Sequence, residues 1–90
     1  MGIQRGSGQG SRSLAHLSVG ESATIAGLEG HGSIAVRLLE MGLVPGAKVA
    51  LVKRAPLGDP LEIRVRDYHL SLRKAEADRV RLHDKAEGKA

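Results

Sequence analysis

The sequence predicts a mainly β fold, a small barrel of about five strands capped by one α-helix at roughly residues 33–42. Three observations carry that expectation. Short runs of period-two alternation recur between turn signals. The cleanest is 61–66, where Leu61, Ile63 and Val65 face one way and Glu62, Arg64 and Arg66 the other. One stretch, 33–46, instead has the period of a helix and carries its own stop signal. The segment between the polar ends is so short that an open sheet would leave costly bare edges, whereas a curled sheet with the helix across one opening buries them.

Taken in order, residues 1–13 are rich in Gly, Ser and Arg. They hold too little apolar surface to offset the entropy of ordering, so they are expected to form a disordered tail. Leu14 and Leu17 anchor the start of the domain, 14–83, and Val19-Gly20-Glu21 is a turn. Residues 22–28 read as a first strand, with Ala23 and Ile25 on one face. Gly27, Gly30 and Gly32 loosen the approach to the helix, with His31 among them. At about 100° per residue, Ile34, Leu38 and Met41 stack on one line of that helix, and Ala35 and Leu39 widen it to an arc of roughly 160°. Arg37 and Glu40 share the remaining strip, where they are expected to pair. Ser33 has the side chain of an N-cap. Gly42 falls where a left-handed cap needs no Cβ, Leu43 folds back on the helix end, and Pro45-Gly46 forces a turn. Ile34, Leu38, Met41, Gly42, Pro45 and Gly46 are thus the expected structural residues of the closure.

Residues 48–53 form a further strand, with Val49 and Leu51 on one face. Two prolines and Gly-Asp make 55–60 a loop. After the strand at 61–66, Asp67 makes a turn, and 68–72 alternates again with Leu70 and Leu72 inward. Residues 74–78 are a short polar helical turn with Lys74 and Asp78 at i,i+4. Val80 and Leu82 close the domain as a last brief strand, and 84–90 is expected to be a flexible C-terminal tail.

Composition narrows the function. Ninety residues allow one small domain, and with no Phe, no Trp and a single Tyr its core must be aliphatic. The absence of Cys excludes disulfides and thiolate metal sites. No apolar run approaches the ~20 residues that span a bilayer, and no secretory h-region opens the chain, so a cytoplasmic protein is expected. The net charge of +4 favours acidic partners without choosing among them. An enzyme is not expected: there is no Ser/His/Asp spacing, no carboxylate pair in an apolar setting and no phosphate-loop motif. Basic small barrels do bind nucleic acid, which makes such a module the alternative from composition. Single-strand binders stack bases on aromatic platforms, however, and Tyr68 is the one aromatic residue, so nucleic acid is not the expected partner.

Three segments together are specific. Leu17-Ser-Val-Gly-Glu-Ser-Ala-Thr-Ile25, Arg37-Leu-Leu-Glu-Met-Gly-Leu-Val-Pro-Gly46, and Ala55-Pro-Leu-Gly-Asp-Pro-Leu-Glu-Ile63 followed by Leu70-Ser-Leu-Arg-Lys-Ala-Glu-Ala77 stand in the order of one family. The chain resembles FeoA, the small cytosolic component of bacterial ferrous iron uptake. Related domains occur at the C-terminus of iron-dependent repressors, which makes a free-standing regulatory domain a further alternative. The resemblance implies an SH3-like barrel and no catalysis. It implies a partner, the FeoB permease of the inner membrane with its cytosolic GTP-binding part, and hence a location at the inner face of that membrane when bound. Two departures stand out. The Gly/Ser-rich lead is longer than the family's, and Asp67 stands where the family tends to have Gly, so Asp67 is expected to take a left-handed turn position.

The candidate contact residues follow. Leu57, at the tip of a Pro-bounded loop with Pro56 and Asp59, suits an anchor entering a partner's pocket. The same side chain would also serve as a cover folded over the barrel. Arg64 and Arg66, with Arg73, Arg79 and Arg81, would make a basic face for an acidic protein surface or the inner leaflet. Interleaved with Glu62 and Asp78, they read more readily as a solvated exterior. His16, His31, His69 and His83 lack metal-ligand spacing, and no metal is expected to be required. His69, Asp67 and His31 are the candidates for weak binding of a divalent transition metal (Fe or Zn) or for a metal bridge between two copies.

Overall fold

The structure, a computed structural model, describes residues 12–83. The expected tails, 1–13 and 84–90, lie outside the described residues apart from Arg12 and Ser13. The elements in chain order are β1 (Arg12–Ser13), a 3-10 turn (Leu14–His16), β2 (Ser22–Leu28), α1 (Ser33–Glu40), β3 (Lys48–Arg54), β4 (Leu61–Val65), β5 (Tyr68–Leu72), α2 (Lys74–Ala77) and β6 (Val80–Leu82). All strand pairs are antiparallel, in the order β1-β6-β2-β3-β4-β5. The sheet is not strictly closed: β1 and β5 are its ends, and among the described residues no ladder joins them. Ile25, Val49, Ile63, Leu72 and Leu82, one from each of the five longer strands, nonetheless share a single buried cluster with Leu38 of α1 and Ala77 of α2. A sheet wrapped around its own inner face achieves that, and its right-handed twist favours the wrapping.

Arg12 and Ser13, expected to belong to the tail 1–13, are part of the sheet instead. Arg12 and Ser13 pair with Leu82 and Arg81 of β6, making six strands rather than five. Ser13 is fully buried, and its hydroxyl donates to Asp78 Oδ1 at 2.9 Å. That leaves the Ser13 oxygen to accept from His16 Nδ1 at 3.1 Å, so the start of the chain is stitched to α2. Asp78 is thereby drawn to Ser13 rather than to Lys74.

Helix α1 ends as its sequence dictates. The Gly42 amide donates to the Leu39 carbonyl (3.0 Å) and the Leu43 amide to the Leu38 carbonyl (3.1 Å), the paired bonds of a Schellman cap. Gly42 has φ +101° and Leu43 is fully buried. Tyr68 of β5 donates its hydroxyl to the Met41 carbonyl at 2.6 Å, satisfying one more orphan acceptor. A Cβ on Gly42 would run into that hydroxyl. Past Pro45, which is exposed, the Gly46 amide (φ +93°) donates to the Ile25 carbonyl at 2.8 Å, so the turn leads straight into the sheet.

Three expectations for the helix need correction. Ile34 is 37% exposed and Leu39 42% exposed. The plug is Ala35 and Leu38 with Leu43 behind them and Met41 half-buried beside the core, because one face of a two-turn helix on a narrow barrel covers a single line, not a 160° arc. The N-cap is Gly32 at φ +86°, and Ser33 is the first helical residue with no side-chain cap bond before it. Arg37 pairs with Glu76 of α2 rather than with Glu40, tying the two helices together across the surface.

Candidate docking site

The predicted contact residues fall at two opposite ends of the β3–β4 hairpin. Val49 is in register with Val65 and Arg54 with Leu61, so the loop 55–60 lies at one end and Arg64 and Arg66 at the other. Strand rise separates them by about 20 Å.

The loop end is rigidly built. The Gly58 amide donates to the Ala55 carbonyl at 2.7 Å, and the Ala55 amide to the Pro60 carbonyl at 3.0 Å. Gly58 takes φ +86°, and the Asp59–Pro60 peptide is cis. The Asp59 carboxylate accepts from the Lys74 amide at 2.9 Å, capping the first free N–H of α2 and fixing the loop to that helix. Arg54, at the foot of the loop, donates to the carbonyls of Ala15 (2.8 Å) and Leu17 (2.7 Å), binding β3 to the chain's entry. On this scaffold Leu57 stands 94% exposed, with Pro56 exposed beside it, so the side chain does not fold back over the barrel. Asp59, grouped with the contact residues from sequence, has its carboxylate turned to this internal role. The Arg54 and Asp59 anchors went unread because their partners are backbone groups 37 and 15 residues away, which no local pattern encodes.

At the other end the turn differs from expectation. Arg66, not Asp67, takes the left-handed conformation (φ +57°). The loop between Val65 and Tyr68 holds two residues, and in both primed hairpin turns the first central position requires positive φ. Arg64 and Arg66 are exposed, and Lys48 at the start of β3 joins them. Lys48 was not singled out in the sequence, although its outward place at the head of a strand was readable there. The wider basic face breaks up: Arg81 pairs with Glu29 at 3.0 Å, and Arg79 lies over Gly30.

The metal candidates do not converge. His69 faces Arg64 across the β4–β5 ladder, Asp67 lies in the turn and His31 is in the loop before α1. Among the described residues no group of three or more His, Cys, Asp or Glu side chains is placed to hold a metal ion. No helix there is long and apolar enough to cross a membrane.

A small six-stranded antiparallel sheet curled around an aliphatic core, with Leu38 of one short helix packed into that core, is the architecture of an SH3-like domain. The FeoA domain model matches residues 12–83, so the chain belongs to the FeoA domain family. It is 41% identical over 69 residues to an Fe(2+) transport protein A/Fe(2+) transporter FeoB fusion protein of Porphyromonas gingivalis, covering 77% of this chain but 8% of that protein's length. The zinc-complexed FeoA of Stenotrophomonas maltophilia superposes with a TM-score of 0.77 at 32% identity, over 89% of this chain and 100% of that one. Iron(II) transport protein A of Clostridium thermocellum gives a TM-score of 0.77 at 37% identity, over 81% and 45% of the two chains. A manganese-dependent transcriptional repressor shares the fold at 12% identity, with a TM-score of 0.73 over 82% of this chain and 41% of that one.

Proposed function

We propose that the chain is a non-enzymatic accessory component of bacterial ferrous iron uptake that docks, through its 55–60 loop, onto the cytosolic GTP-binding part of an FeoB permease at the inner face of the inner membrane. One observation carries the docking: Leu57 stands almost fully in solvent on a loop braced at Ala55, Gly58, Asp59 and Arg54. A large apolar side chain held in place before binding loses little entropy when a pocket takes it. The fusion relative supports the choice of partner, since one chain there joins both proteins and keeps them at high effective concentration. The test is capture of the permease's cytosolic domain by the wild-type chain and by Leu57→Asp. Loss of capture at an unchanged melting temperature supports the reading, and equal capture removes it.

The zinc in the Stenotrophomonas relative favours a second, subordinate role for metal. With no converging ligand set among the described residues, binding here would join ligands of two copies through His69, Asp67 or His31. Zinc titration followed by sedimentation tests it: a doubling of mass supports a bridge, and constant mass excludes one.

A further inference from the structure

We infer that the outer face of the sheet, at the end away from the loop, is a binding site for a phosphate group. Ser22 of β2, Lys48, Val49 and Ala50 of β3, Arg64 of β4 and Arg66 of the following turn line one shallow depression of about 160 Å³. The register brings them there. Ser22 opposes Ala50, Ala50 opposes Arg64, and Arg66 lies one step beyond the Val49–Val65 pair, alongside Lys48. Three cations thus crowd one patch, an arrangement that cross-strand repulsion disfavours unless an anion sits among them.

Among the described residues, four glutamates are paired with other cations. Glu21 is on Arg12, Glu76 on Arg37, Glu62 on Lys53 and Glu29 on Arg81. Asp67 adjoins Arg66 in sequence and His69 faces Arg64, yet among the described residues no ion pair forms at Lys48, Arg64 or Arg66. Two guanidinium forks, an ammonium and the Ser22 hydroxyl around a depression suit a compact phosphate oxyanion, which offers several acceptor oxygens in tetrahedral array, better than a lone carboxylate. The ligand class is therefore a phosphate-bearing anion, whether free in solution or a lipid headgroup. This site is independent of the docking loop and of any permease.

The experiment titrates the labelled full chain with inorganic phosphate at constant ionic strength, following amide shifts. In parallel, the chain is floated with phosphatidylcholine vesicles with and without phosphatidylglycerol. The test variant is Arg64→Gln/Arg66→Asn, since Asn tolerates the left-handed turn position. The control is Lys53→Gln/Lys74→Gln, which removes the same charge outside the depression. Lys48→Gln, which leaves the turn untouched, guards against misfolding of the double variant. Saturable shifts at Ser22, Lys48 and Arg64 that weaken by about tenfold in the test double, and by less than about twofold in the control, support the site. Co-flotation with phosphatidylglycerol lost in the same variants, without a saturable response to phosphate, assigns the source to lipid. Equal loss in both doubles reduces the effect to general charge and overturns the proposal. So does failure of both probes, including the case where the test double instead loses capture of the permease's cytosolic domain and the patch is an acidic-protein contact.

Discussion

The two ends of the β3–β4 hairpin are built on opposite plans. At the loop end two charged side chains, half-buried Arg54 and exposed Asp59, are spent on backbone groups. Leu57, 94% exposed at the tip, is apolar. At the turn end the apolar residues Val49 and Val65 face the core, and Lys48, Arg64 and Arg66 meet solvent beside exposed Asp67, Tyr68 and His69. A braced apolar tip governs how long a complex lasts, because its burial must be undone before the partner leaves. Unpaired cations govern how fast an anionic partner arrives. On the proposed readings the loop end would give a slow-release protein contact and the turn end a fast encounter with a phosphate-bearing anion.

Leu57→Asp tests the division most severely. It should weaken capture of the permease's cytosolic domain by about 2 kcal/mol or more, almost wholly through faster dissociation, with no change in melting temperature. An equal effect on the association rate would blur the two ends. Gly42→Val comes next, at the turn end. Forcing a β-branched residue to φ +101° beneath the Tyr68 hydroxyl should cost about 1–3 kcal/mol of folding stability by denaturant unfolding. At temperatures where the variant is folded, loop-end binding should be intact. Asp59→Ala should cost about 1 kcal/mol of stability by uncapping α2, and should also weaken binding by loosening the loop under Leu57. Loss of stability alone would show that the loop needs no brace. Smaller still, Arg64→Gln/Arg66→Asn should leave capture of the permease's cytosolic domain within about twofold of wild type at low salt, the turn end acting on phosphate-bearing anions alone.

Much of this contrast was legible in the residues. Alternation at 61–66 and the Pro-bounded loop at 55–60 set out a hairpin, and a hairpin alone puts Leu57 and Arg66 at opposite ends. The Schellman end of α1 was equally plain, because Gly42 and Leu43 carry it locally. What was hidden depends on partners distant in sequence. Arg12–Ser13 has no periodicity of its own and becomes a strand by borrowing the ladder of β6. Arg37 found Glu76, 39 residues on, in preference to its helical neighbour. Ile34 reads as core on a helical wheel, and its exposure follows from how little of the helix the barrel mouth covers. The cation depression was half visible. Arg64 and Arg66 stood out, but Lys48 and Ser22 join them through strand register.

The smallest effect lies away from both ends, at Glu21. Its carboxylate accepts from the Ser18 amide and from the Arg12 guanidinium, each at 2.9 Å, and these bonds, the amide first, hold its pKa below the ordinary 4.5. A carboxyl with a lowered folded-state pKa binds fewer protons folded than unfolded. Its contribution is therefore fully present above 4.5 and is lost as pH falls through the folded value. Partial exposure keeps that contribution modest, since solvent screens the pair. Glu21→Gln should accordingly lower the denaturant midpoint slightly at about pH 6, and the gap from wild type should narrow as pH falls below 4.5. Neither Leu57 binding nor phosphate uptake should follow that titration. If either did, Glu21 would couple the two ends through Ser22 and β3, and they would no longer be independent.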